Sequence, residues 1–143
     1  MEYSITSDCA TERMIYDHLI DNSNNFKPPL DSYVNISNYS KKIYLKSEKL
    51  ELIIQKKLIG LLAYYIENDS IYITNLSISR DQIRKGLGSI LLKKLFRVNT
   101  NIKKFRLEVF NENRNALNFY LKHNFKIEQI KKNKFILIKN EKF

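Results

Sequence analysis

The chain has three glycines, at positions 60, 86 and 88. Two of them fall in the run Arg84-Lys85-Gly86-Leu87-Gly88-Ser89. Glycines this close together let a backbone approach a ligand and turn successive N–H groups toward one point. Behind them, Leu87, Leu91, Leu95 and Val98, with Ile90 beside them, have the spacing of a helix over 87–98. A helix start contributes unpaired N–H groups and the positive end of its dipole, and Arg84 and Lys85 add formal charge. Such a turn suits a pyrophosphate. Neither of two other phosphate turns fits. A P-loop reads G-x-x-x-x-G-K-[ST]. A dinucleotide turn needs a further glycine where Leu91 stands, and a place after the first strand. Paired glycines also serve tight helix packing alone, so the turn by itself does not decide.

A second segment does. Leu107-Glu108-Val109-Phe110-Asn111-Glu112-Asn113-Arg114-Asn115-Ala116-Leu117-Asn118-Phe119-Tyr120-Leu121-Lys122-His123-Asn124-Phe125 resembles a signature of the GNAT N-acetyltransferases, L-x-V-x-x-x-N-x-x-A-x-x-x-Y-x-x-x-G-F. The turn at Gly86 and Gly88 is similar to the same family's Q/R-x-x-G-x-G/A motif. Both occur in the family's order, and the likeness covers residues 58–139. Two positions depart from the pattern. Ile83 stands where the family has Gln or Arg, which leaves phosphate binding to backbone N–H groups and to Arg84 or Lys85. Asn124 replaces the glycine before Phe125; it must take a positive φ, which Asn tolerates better than most residues.

The resemblance implies an α/β (α+β) fold: a mixed, mostly antiparallel central sheet with helices on both faces and a bulged central strand. It implies acetyl-CoA as co-substrate, no metal, and acetyl transfer to a primary amine. Transfer is expected to be direct, in a ternary complex, because Cys9 lies far from both motifs. In this family the pantetheine arm lies along the bulged strand, which here places it against the backbone of Leu76, Ser77 and Ile78. The amides of Arg84, Lys85, Gly86, Leu87, Gly88 and Ser89 would hold the pyrophosphate. Asn113 would reach the cofactor through its side-chain amide, although a helix cap explains it equally simply. Tyr120 is similar to the family's general acid, a phenol that keeps a proton for the leaving thiolate; plain packing is its other reading. Glu108 is the candidate base, directly or through water, since the amine must lose its proton and related N-terminal acetyltransferases carry Glu there. A surface role explains Glu108 as well. The Ile78 N–H would face the developing oxyanion.

The acceptor is less determined. Phe26-Lys27-Pro28-Pro29-Leu30-Asp31-Ser32-Tyr33-Val34, followed by Tyr39 and Lys41-Lys42, resembles family members of bacterial surface-polysaccharide pathways that acetylate nucleotide-linked amino sugars. A small, anionic amine substrate is the corresponding expectation. Glu108 together with Tyr120 also supports a protein N-terminal acetyltransferase of the ribosomal-protein type. From another class, a non-catalytic coenzyme A- or nucleic-acid-binding module is opposed by the presence of Tyr120, Asn113 and both glycines.

These residues need positioning elements. Apolar spacing predicts a helix over 8–20, capped by Ser7 or Asp8, with Met14, Ile15, His18 and Leu19 inward, and a second over 38–47. A short edge strand is expected at 3–5, and a hairpin from 50–55 and 58–67 around Lys56-Lys57. Residues 70–79 form the next strand. In it Ile71 and Ile73 share one parity and Leu76 and Ile78 the other, so one face holds all four only if a residue is inserted near Thr74-Asn75. Burial on both faces without a bulge fits the same pattern. Strand 103–110, a helix over 113–123 with Ala116, Leu117, Phe119 and Tyr120 inward, and strands 125–130 and 134–138 complete the order.

The 143 residues are expected to form one domain. The formal charge is +10. An AT-rich genome composition, an anionic ligand and nucleic acid each account for it, but the basic residues are dispersed, which counts against nucleic acid. A single cysteine allows no internal disulfide. The start of the chain has no leader-like pattern and no run is long enough to span a membrane, so the cytoplasm is the expected location. Monomer and homodimer are both compatible with the sequence.

Overall fold

The computed structural model describes residues 3–141. Seven strands form one sheet: β1 (Ile5–Ser7), β2 (Glu48–Ile54), β3 (Lys57–Glu67), β4 (Ser70–Ile78), β5 (Lys104–Phe110), β6 (Lys126–Ile130) and β7 (Lys134–Asn140), in the order β1-β2-β3-β4-β5-β7-β6. Every neighbouring pair is antiparallel except β4 with β5. Helices α1 (Glu12–Asp21) and α2 (Ile36–Lys46) cover one face, and α3 (Leu87–Val98) and α4 (Arg114–Lys122) the other. Ile15, Leu19, Leu30 and Ile43 pack on Leu58, Leu61 and Ala63 on the first side. On the second, Leu87, Leu91, Leu95 and Leu117 close over Leu62, Ile71, Phe105 and Leu107. The expected layered α/β architecture is present. Among the described residues, no helix is long and apolar enough to cross a membrane.

Several boundaries differ from the sequence-based expectation, each for a local reason. The first helix starts at Glu12, capped by Thr11, whose hydroxyl accepts from the Met14 N–H. The preceding residues cannot be helical: Asp8 has φ 54°, and the N–H groups of Cys9 and Ala10 each donate to the Glu51 carboxylate at 2.8 Å. The same carboxylate, fully buried, accepts from Thr6 Oγ1 and helps hold β1 at 5–7 rather than 3–5. Asn35 caps α2 through the Asn38 N–H, moving its start to Ile36. The β2–β3 turn lies at Gln55-Lys56, both with positive φ (50° and 64°), which matches the right-handed twist of the strands. On α3 the inner stripe includes Leu92, whereas Ile90 and Val98 are 39 % and 50 % exposed.

The bulge is at the predicted place. Ala63 pairs with Asn75 and Tyr64 with Ile73, so Thr74 is the inserted residue. The half-turn it adds puts Ile71, Ile73, Leu76 and Ile78 against the same core. It also bends β4 away from β5. The two strands pair only at Ser70–Lys104, Ile71–Phe105 and Tyr72–Arg106, and past Tyr72 a gap opens between them.

Candidate active site

The open edge of β4 follows from its hydrogen-bond alternation. The Ser79 N–H donates to the Ile59 carbonyl at 2.7 Å. Antiparallel pairing then turns the backbones of Ser77 and Asn75 toward β3, and those of Leu76 and Ile78 toward the gap. This narrows the expectation for 76–78: two of the three residues present free backbone groups, and Ser77 does not. Ser77 instead anchors the strand. Its Oγ lies 2.9 Å from both His18 Nε2 and Asn75 Nδ2. His18, 2 % exposed in α1, also faces Ser79 Oγ at 3.5 Å, and Asn22 accepts from the Arg80 N–H at 2.9 Å. Burial pushes the His18 ring down to about 4, so it is neutral. A polar seam thus clamps α1 to the half of β4 that lacks a neighbour on its other side. The only trace of this seam in the sequence is the alternation of Asn75, Ser77 and Ser79 with Leu76 and Ile78.

At the end of β4 the chain enters the Gly86 turn. Gly86 is the N-cap of α3, with φ 75° and no side-chain cap. The first intrahelical bond is Ile90 N–H to Gly86 O, which leaves the N–H groups of Leu87, Gly88 and Ser89 without a backbone acceptor. A Cβ built on Gly86 would meet nothing within 4 Å, whereas one on Gly88 would lie 3.5 Å from the Phe119 ring. The two glycines therefore differ. Gly86 supplies the left-handed turn beside open space, whereas a side-chain carbon at Gly88 would make only ordinary van der Waals contact with Phe119 on α4. Arg84 also takes a positive φ of 70°, a strained state for a non-glycine residue and one found at ligand-binding turns. Arg84 is exposed, Lys85 reaches Gln82 Oε1 at 3.0 Å, and Ile83 is exposed beside them. The Ser89 hydroxyl is tied to His123 Nε2 at 2.8 Å, while its backbone N–H has no backbone acceptor.

Opposite this edge stands α4. Asn113 caps it with Oδ1 on the Ala116 N–H, and its Nδ2 has no protein partner among the described residues, so the capping and ligand readings are compatible. Asn124 ends the helix with φ 73°. The Phe125 N–H bonds Tyr120 O and the Asn124 N–H bonds Leu121 O, a Schellman closure. That closure sets the Phe125 ring 5.4 Å from Tyr120. Tyr120 is 8 % exposed, burial raises its phenol well above the usual tyrosine range, and its hydroxyl makes no hydrogen bond among the described residues.

Tyr120, Asn113, Leu76 and Glu108 line one cleft of about 400 Å³ where β4 and β5 part. Phe26, Lys27, Leu30, Tyr33, Val34 and Tyr39 wall its far side, and Tyr39 donates to the carbonyl of the inserted Thr74 at 2.8 Å. The Tyr72 hydroxyl donates to Glu108 Oε2 at 3.1 Å. Burial, then the adjacent carboxylate, pushes Tyr72 up to about 12, so it remains a donor. Tyr72 was not singled out from the sequence, where its partner lies 36 residues away. Cys9 is not part of the cleft lining.

Leu76 and Asn113 share the cleft with Tyr120 and Glu108, whereas Ser77, Ile78 and the Arg84–Ser89 turn lie outside its lining; open amides at a helix start suit a phosphate, and a free strand edge suits an amide-bearing arm. No curated protein matches the sequence. Among solved structures, the PaiA N-acetyltransferase of Thermoplasma acidophilum, in complex with coenzyme A, is 19 % identical, with 99 % of this chain and 100 % of that one covered and a TM-score of 0.77. The ribosomal-protein-S18-alanine N-acetyltransferase of Escherichia coli is 17 % identical, with 97 % and 94 % covered and a TM-score of 0.76. A GNAT acetyltransferase of Elizabethkingia anophelis with acetyl-CoA bound is 19 % identical, with 97 % and 98 % covered and a TM-score of 0.71. At these identities the likeness establishes the fold. The family is established by sequence: the Acetyltransferase (GNAT) family matches residues 13–125, most of the chain, and the chain therefore belongs to the GNAT family of acetyltransferases.

Proposed function

We propose that this chain, as one domain, transfers the acetyl group of acetyl-CoA directly to a primary amine in a ternary complex. The thioester supplies an activated acyl carbon: its C–S bond breaks as the C–N bond forms. The chain's own groups handle the protons. Glu108, held by Tyr72, takes the proton the amine loses, directly or through a water. Tyr120 supplies one to the departing sulfur. The free N–H groups of Leu76 and Ile78 orient the acyl donor's arm, and those of Leu87, Gly88 and Ser89 receive its phosphates with Arg84 and Lys85 alongside. The observation that carries this reading is the meeting of Tyr120, Glu108, Asn113 and the free edge at Leu76 in one cleft. The place of Cys9 outside the cleft supports direct transfer over an acyl-enzyme.

The acceptor lies on the side walled by 26–39. Those residues support a lid over a small amine, of which a nucleotide-linked amino sugar is one form. A protein N-terminus is the second reading, favoured by Glu108 and Tyr120 lining the same cleft. Tyr120→Phe tests the mechanism. Turnover should fall by about a hundredfold, the usual scale for losing a general acid, with acetyl-CoA affinity in calorimetry unchanged. Equal turnover in variant and parent would remove Tyr120 from the chemistry.

A further inference from the structure

The acceptor side of the cleft carries charge that acetyl transfer does not use. Lys27, on the loop after α1, and Lys134, at the start of β7, both line it, with Glu108 as the sole carboxylate among the lining residues. The ion pairs among the described residues engage Arg13, Lys49, Lys103, Lys131 and Lys139, so among those residues neither Lys27 nor Lys134 has an ion-pair partner. Lys134 is also held in place. It stands opposite Phe110 across the β5–β7 ladder, and its Nζ lies 4.8 Å from the centre of the Phe110 ring. Tyr33 meets the same ring edge-on at 4.7 Å. Lys134, Phe110 and Tyr33 thus form a row from β7 to the α1–α2 loop. Glu108 is already engaged, by the Tyr72 hydroxyl at 3.1 Å and by Lys131 Nζ at 4.0 Å. Two lysines without an ion pair, Lys134 half-buried and Lys27 exposed at the mouth, favour an anion beside the one carboxylate of the lining.

We infer that the acceptor is a small primary amine carrying its own anionic group, a carboxylate or a phosphate. The amine points to Glu108 and Tyr120, and the anion to Lys134 and Lys27. This rests on the acetyltransferase reading above and adds the substrate class. A polyamine would bring a second ammonium against the lysines, which costs binding. A peptide N-terminus carries no anion fixed beside its amine. Coenzyme A is itself anionic, but its phosphates are assigned to the Gly86 turn, so neither lysine should matter to its affinity.

The test is kcat/KM for thiol release from acetyl-CoA with matched amines: aminohexanoate, hexylamine and diaminohexane; glucosamine phosphate and glucosamine; and an alanine-led peptide amide. The anionic member of at least one matched set should exceed its uncharged or dicationic counterparts by about tenfold or more, the scale of one charge contact. Lys134→Glu should abolish or reverse that preference while leaving the Kd of acetyl-CoA unchanged. Lys27→Glu, on a loop, provides the same readout should the first variant fold poorly. Preference for diaminohexane or the peptide overturns the inference but keeps the enzyme. A Lys134→Glu variant with weakened acetyl-CoA binding and unaltered amine preference also overturns it, assigning the lysine to the cofactor. Acetyl-CoA that binds with no thiol release from any amine overturns the substrate class. Failure to bind acetyl-CoA at all instead overturns the reading beneath it.

Discussion

Asn113 commits half of its amide to the fold. Its Oδ1 caps α4 at 3.2 Å from the Ala116 N–H, its Nδ2 has no protein partner among the described residues, and the proposed function gives that donor to the cofactor. The two roles separate by substitution. Asn113→Asp keeps a capping oxygen but replaces the donor with a charge facing an anionic ligand. Its unfolding free energy should stay within about 0.5 kcal/mol of the parent, while the Kd of coenzyme A rises by about tenfold or more. Equal affinity would leave Asn113 as a cap alone. Asn124 has a backbone role. With φ 73°, Asn124→Ala should cost about 1 kcal/mol in urea unfolding, and Asn124→Gly should cost nothing; equal losses would contradict the φ argument. Asn124 was legible in the sequence because few residue types accept that backbone state. The Tyr72–Glu108 bond was not, because no local pattern reveals that β4 and β5 start side by side.

At the scale of elements, the bulged β4 connects pattern to site. Its presence was readable from the parity break between Ile73 and Leu76, since a regular strand would bury one pair and expose the other. Its support was not readable. A lone histidine on an otherwise apolar helix face says nothing of which strand it meets, and only the fold brings His18 to Ser77, 59 positions away. The seam has a pH consequence. The ring's pKa is about 4 folded, against 6.5 in the free side chain, so the unfolded chain binds the extra proton between these values. The corresponding stability is present above about pH 6.5 and is lost as the pH falls through about 4. Its full size is about 3 kcal/mol. Urea unfolding at neutral pH and near the folded pKa should show His18→Gln losing less stability on acidification than the parent. Parallel losses in the two proteins would contradict a buried, neutral His18.

For the whole molecule, the layered order of strands and helices was legible because periodicity reports which side of an element is buried. The strand order was not. The insertion of β7 between β5 and β6, and the single parallel pair β4–β5, depend on contacts between distant segments. The net charge of +10 was ambiguous in the sequence, and the structure adds that Lys27 and Lys134 line the cleft without an ion pair among the described residues. All of this depends on one claim, that the Gly86 turn and the open edge of β4 bind coenzyme A. Calorimetric titration of coenzyme A into the parent protein and Gly86→Val tests it most directly. A valine places a β-branched side chain where φ is 75° and where the space is open. The parent should show one site per chain, and the folded variant a Kd raised by about tenfold or more. Identical binding by both proteins would contradict it.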